Sequence, residues 1–333
     1  MPKGEPYNRS ATMSKWFRNI LAIVILAFLL WYLARHWQEL SGLLRLAPDE
    51  LLLLYVFFFL QTCVSAAVSR SLLSALDAKT HLWDMILLQN ASILLNYVPM
   101  KFGTLFRANY LKHHYGLRYS HFATFFLYLM FWTTAAASVT GIVIVFAVYG
   151  WASYENKILA AVFMGALIFS MVVLFFPLPA PTGSGQLRTT LRNFIAGRQS
   201  VAKNRKVLFV CTGLLGVNFL LQALRMGIIY HSMGQHIKPW GCLILGALGF
   251  VTLLIGITPG ALGIRELVLG SAAIVLDVSP EAGLLAAMID RAIMLSFSLV
   301  VGGICTGWLW RRSPEDFKKQ PNESAPSEGA CGR

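Results

Sequence analysis

Five ionisable residues stand in or beside stretches whose composition otherwise belongs in hydrocarbon: Arg225, Arg265, Glu266, Asp290 and Arg291. An ionised side chain at membrane depth costs upward of ~2.5 kcal/mol, so each needs an opposite charge, a polar wall or water. Arg265 and Glu266 directly follow "ITPGALGI", in which Pro259, Gly260 and Gly263 interrupt an apolar run. Asp290 and Arg291 lie about seven residues into the last run, roughly 10 Å along a helix axis. Arg225 stands near the outer end of the run before the interruption. A guanidinium holds a phosphate or carboxylate through two parallel hydrogen bonds, so the chemistry on offer is capture of an anionic headgroup. We expect these five residues to form a charged cluster facing the outer half of a central cavity, with Glu266 paired to one arginine. The competing expectation is that Arg225 and Arg291 snorkel to the outer interface.

A second polar set surrounds the earlier interruption, "NYVPMKFGTLFR". Gln89, Asn90 and Asn96 can bond both to freed backbone groups and to a headgroup, and Arg107 can grip its phosphate. Interhelical hydrogen bonding for the asparagines and a cytoplasmic anchor for Arg107 are the plainer alternatives.

Other chemistries are poorly supported. His113 and His114 are adjacent and so face different sides of a helix. "PTGSGQ" at 181–186 lacks the Gly-Lys-Ser/Thr ending of a phosphate-binding loop. The five cysteines show no metal-ligand spacing, and no Ser, His and Asp set suggests a hydrolase. No metal, no cofactor and no enzymatic reaction are expected, and movement of a substrate would follow a gradient, an ion or a partner.

The elements that must position these residues are membrane spans. Of 333 residues 56% are hydrophobic and 13% charged. Runs at about 17–33, 51–68, 121–149, 158–177, 207–230 and 284–310 approach or exceed the ~20 residues that cross ~30 Å of hydrocarbon. The first run lacks a small-residue cleavage site and reads as an uncleaved span. Two more apolar regions, 83–112 and 241–277, are interrupted by Pro99 and Pro259.

The net charge of +13 is distributed by sidedness rather than by any nucleic-acid face. With the N-terminus inside, cytoplasmic segments hold four Lys and Arg before residue 20, two in 69–82, four in 100–120, six in 178–206 and five after 310. External segments hold Arg35, Arg45, Lys157 and Lys238. This is the positive-inside pattern. If 83–98 crossed fully, the basic residues after it would change sides, so that region is expected to dip in from the cytoplasm and return. By the same parity 241–277 starts and ends outside, as one hairpin or two crossings.

Pro99 and Gly103 are repeated 160 residues later by Pro259 and Gly263. Each half also has a polar-dotted span upstream (Gln61 and Arg70; Asn218, Gln222 and Arg225) and then a Trp, Trp83 or Trp240. Units that begin on opposite faces make an inverted repeat, which transporters use to build a midplane site from broken helices. The expected fold is an all-α polytopic membrane protein: six full spans plus two Pro/Gly-broken re-entrant hairpins in an inverted repeat, six to eight helices by hydropathy. Residues 1–16 form a cytoplasmic segment, 17–312 the membrane domain and 313–333 a disordered cytoplasmic tail; the repeat halves cover about 51–177 and 207–310, with a basic cytoplasmic loop at 178–206 between them.

"NYVPMKFGTLFRANYLKHHYG" together with "ITPGALGIRELVLG" resembles the flippase-like integral membrane family that includes the transmembrane region of lysylphosphatidylglycerol synthases. The resemblance spans roughly 15–312, and the Pro-Gly-x-x-Gly-x-Arg-Glu element is its more specific part. Lys101 and Phe102 stand where the family often has small residues. The resemblance implies movement of a lipid or lipid-linked headgroup between leaflets of a bacterial cytoplasmic (inner) membrane, with both termini inside. Aminoacyl-transferring members carry a soluble catalytic domain after the membrane part, whereas a short polar tail follows Arg312 here, so synthase activity is not expected. Membrane lipids, anionic or lipid-linked, are the expected partners, and nucleic acid is not. The alternative is an accessory membrane protein that docks a cytoplasmic lipid- or glycan-synthesis enzyme; a membrane-embedded transferase is a third reading. The oligomeric state is open.

Overall fold

The computed structural model describes residues 46–97, 102–150, 153–176, 186–255, 264–276 and 278–311, without the side chains of 186–190, 253, 255, 264 and 266. The expected segments 1–16 and 313–333, the expected span 17–33, and the interruption residues Pro99, Pro259, Gly260 and Gly263 lie outside the described residues.

The described chain is helical, and its ends are set by local chemistry. Helix α1 (Pro48–Ser74) opens with proline at its first position and Asp49 and Glu50 in its first turn, where they complement the helix dipole. Helices α2 (Leu82–Leu95) and α3 (Phe102–Tyr115) flank the first interruption. Helix α4 (Tyr119–Tyr149) ends in a wider π turn at Val145–Tyr149 and stops at Gly150, whose φ of 72° favours glycine. Helix α5 (Tyr154–Phe175) begins where the Ser153 hydroxyl accepts the Asn156 amide at 3.2 Å. Losing such a cap costs about 1 kcal/mol, so Ser153→Ala should lower the unfolding midpoint by only a few degrees in a thermal melt, without altering any site below.

Helix α6 (Gln186–Lys203) runs through the stretch expected as a basic loop. Its polar residues mask a buried stripe: Ile195 and Val201 face the protein, and the Thr124 and Tyr128 hydroxyls donate to the carbonyls of Phe194 and Arg198. Helix α7 (Arg205–Ser232) is capped by Asn204, and α8 (Pro239–Val251) passes into a tight turn at Thr252–Ile255. Helix α9 (Ile264–Val275) precedes α10 (Pro280–Arg311), capped by Ser279 and widened at Ser298–Gly302.

Among the described residues, five helices are long and apolar enough to cross a membrane: α1, α4, α5, α7 and α10. Helices α2 and α8, at 14 and 13 residues, reach only about 20 Å at 1.5 Å per residue, short of a bilayer core. Each instead lies antiparallel to its successor. In the first hairpin Tyr115 donates to Asp84 at 2.6 Å, Arg107 to Gln89 at 3.0 Å, and the Thr104 amide to Asn96 at 3.1 Å. Successive partners converge from both sides on the interruption, so α2 and α3 begin and end together. In the second, Gly241 approaches Leu276 while Gly249 approaches Arg265, which is the same order.

The two halves pack closely on each other. Helices α1 and α7, which correspond in the two halves, lie against each other along their lengths and run antiparallel: Gln61 meets Gln222, Ser65 meets Asn218, and the Val68 carbonyl meets Cys211. Antiparallel equivalents are what inversion of one half requires. The hairpins are exchanged: α2 packs on the last part of α10, through Asn90 and Leu94 against Gly302, and α8 packs on α4. Each half thus completes the other, and the largest apolar core cluster runs through both. Helix α5 lies outermost, with Ile158, Val162, Ile168, Phe169 and Val172 exposed, the surface that a lipid-facing span presents.

Candidate functional site

Where α1 and α7 cross, their polar side chains find one another instead of water. The Gln61 amide donates to Asn218 Oδ1 and Gln222 Oε1, both at 3.0 Å, and Asn218 donates to the Ser65 hydroxyl at 2.8 Å. One helical turn further along α7 sits Arg225, whose side chain is 0% exposed. It donates to Gln61 Oε1 and pairs with Asp290 Oδ1 from α10, and its guanidinium lies 4.7 Å from the Phe58 ring centroid. The expectation that Arg225 snorkels is therefore corrected: the amide ladder and Asp290 give it a partnered seat inside.

Asp290, also 0% exposed, is shared. Its Oδ2 accepts from Arg265 Nη2 at 2.7 Å and from Gln222 at 3.5 Å. Arg265 comes from the first turn of α9, just past the second interruption, and its other terminal nitrogen meets the Met294 sulfur at 3.3 Å. A thioether is a weak acceptor, so Arg265 holds one terminal nitrogen loosely. It is also the most accessible, with 18% of its side chain exposed. Two guanidiniums on one carboxylate leave the group with a formal charge of +1.

Of the expected outer cluster, the structure brings together Arg225, Arg265 and Asp290, three elements meeting at one carboxylate. Arg291 is buried, one residue on and so about 100° around the helix from Asp290. Glu266 lies in α9, and its side chain falls outside the described residues. Within the trio Arg225 and Asp290 are 0% exposed and Arg265 is partly exposed.

The set around the first interruption divides. Asn96 caps α3 across the interruption by accepting the Thr104 amide, one of the orphan donors of a helix start. Asn90 bonds within its own helix to the Ile86 carbonyl at 2.9 Å. Gln89 receives Arg107, which is buried rather than the exposed anchor of the plainer alternative. Gly103 lies so close to the Ser92 carbonyl and to Asn96 that a Cβ there would overlap both.

Gln61, Asn218 and Gln222 are parts of the site that were not singled out from sequence as its members. Their signal was present, since amides in an apolar span need partners, but the partner of each lies about 160 residues away.

Among curated proteins and among solved structures none matches the chain. A family described as the lysylphosphatidylglycerol synthase TM region matches residues 19–302, a range that holds both hairpins, the amide ladder and the Arg225–Asp290–Arg265 group. The chain belongs to that family, and it is an integral membrane protein built on its transmembrane fold.

Proposed function

We propose that this protein is a translocase that carries a lipid, or a lipid-linked headgroup, between leaflets through the space between its two hairpins. It performs no bond-making step of its own. It sits in a bacterial cytoplasmic (inner) membrane with both termini inside, α2–α3 re-entering from the cytoplasm and α8–α9 from outside. The positive-inside charge pattern supports this orientation, and the antiparallel pairing within each hairpin fits re-entry.

The observation that carries the reading is the buried Arg225–Asp290–Arg265 group where the halves meet. Desolvating ions costs several kcal/mol each, and apolar groups of equal volume commonly pack as stably or better. A bundle with only packing to do gains nothing from three charges there. A carrier of anionic headgroups does gain, because Arg265 has donors to spare and belongs to the hairpin that faces outside.

The test is reconstitution into liposomes with labelled lipids, scoring leaflet exchange. Arg265→Ala and Glu266→Ala should each abolish exchange with membrane abundance unchanged, while Arg225 and Asp290 remain paired in the first. Full exchange in Arg265→Ala would remove the group from the mechanism. Absence of exchange by the wild-type protein would favour instead a docking role for the basic stretch 178–206, the accessory reading.

A further inference from the structure

A second buried cation, in the other hairpin, has no counterion among the described residues. Arg107 is 6% exposed. Its Nη1 donates to the neutral Gln89 amide at 3.0 Å, and its face lies 5.0 Å from the Phe125 ring centroid. Nε and Nη2 have no hydrogen-bond partner, and Arg107 forms no ion pair among the described residues. Those two donors share one edge of the guanidinium, the parallel fork that fits two oxygens of a phosphate or carboxylate. Arg225 shows what this fold does with a buried arginine that belongs to the protein alone: it supplies Asp290.

Position narrows the ligand. Gln89 is seven residues from the start of α2 and Arg107 eight from the end of α3, so the free fork lies roughly 10 Å in from the hairpin's open end. At that end is a cleft of about 360 Å³ bordered by Tyr115, Arg118 and His121, with Asp77 the acidic residue on its wall. Lys112 lies on the same turn of α3, over the Tyr119 ring.

We infer that Arg107 is a binding site for the phosphate of an anionic lipid headgroup presented from the cytoplasmic leaflet. Nε and Nη2 hold two phosphate oxygens, Gln89 fixes the plane of the guanidinium, and Phe125 supports its face. The inference rests on the proposed function only for the side from which the lipid arrives. Free inorganic phosphate offers the same chemistry and is the source to be told apart.

The experiment uses the full chain in neutral detergent and reads its thermal unfolding midpoint. Short-chain phosphatidic acid at about a hundredfold excess over its dissociation constant should raise the wild-type midpoint by about 5 °C. Diacylglycerol of the same chains, which differs only by the phosphate, should leave it in place, and inorganic phosphate should do much less than the lipid. Gln89→Glu places a carboxylate on Arg107 itself. It should raise the midpoint without lipid by a few degrees and remove the response to phosphatidic acid. Arg107→Gln should also be unresponsive, and it loses a charge without counterion, so its own midpoint should not fall.

An equal phosphatidic acid shift in Gln89→Glu and wild type overturns the site, as does an equal shift from diacylglycerol. A shift as large from inorganic phosphate overturns the lipid assignment. Leaflet exchange that is intact in Gln89→Glu sinks this inference alone. Absence of exchange by the wild-type protein, beside a lipid response that is lost in Gln89→Glu, sinks the translocation reading alone.

Discussion

Asp290→Ala is expected to lower the unfolding midpoint by about 10 °C, the largest single effect in the chain. The substitution leaves Arg225 with no ion-pair partner among the described residues and 0% of its side chain exposed, and breaking one side of a buried pair costs about 3–5 kcal/mol. At roughly 2–4 °C per kcal/mol for a domain of this order, that is a shift no melt would miss. Arg265 loses its only carboxylate among the described residues at the same time. Removing both buried charges should be milder than removing one: Arg225→Met combined with Asp290→Leu should recover much of the midpoint, because no ion is then left in a dry site. Arg265→Ala should move stability least, since Arg225 still holds Asp290 and Arg265 is partly wet. A double variant as unstable as Asp290→Ala would mean that the loss comes from packing volume and not from stranded charge.

Gly103→Val comes second, at about 3 kcal/mol. A Cβ on residue 103 would overlap the Ser92 carbonyl, a backbone atom held in α2, as well as the Asn96 side chain that caps α3. Neither can step aside: moving the carbonyl bends α2, and moving Asn96 exposes the Thr104 amide. Overpacking of this kind costs about 1–3 kcal/mol, and loss of the cap adds roughly another 1 kcal/mol. Gly165→Ala is the control. Nothing lies within 4 Å of its added carbon, which stands mid-helix in α5, so that variant should be as stable as wild type or slightly more so. Equal melts for the two variants would show that the hairpin does not depend on close approach at Gly103.

Periodicity and charge in the sequence itself were enough for the helical membrane class, because an apolar run of span length has few other fates and because basic residues count the crossings by side. Five of the six expected spans appear as long helices; the first, 17–33, lies outside the described residues. The matched Pro and Gly spacing also pointed to a repeat, and the two spans that would correspond, α1 and α7, lie antiparallel against each other. What composition missed was α6, since an amphipathic helix on a polar loop has no span-length run, and its buried stripe is defined only by α4 beneath it.

The site was legible as a set of residue types and not as a set of partners. Arg225, Arg265 and Asp290 stood out from sequence because charge in hydrocarbon is expensive wherever it falls. That Asp290 serves both guanidiniums, that Gln61 from the opposite half supports Arg225, and that Arg107 leaves Nε and Nη2 without partners while both terminal nitrogens of Arg225 are engaged are matters of tertiary structure. Solvation cost is a property of a residue and its local stretch, and so can be read along the chain. Pairing depends on which helices cross, at what height and with which faces inward, and those are decided only when segments about 160 residues apart come together.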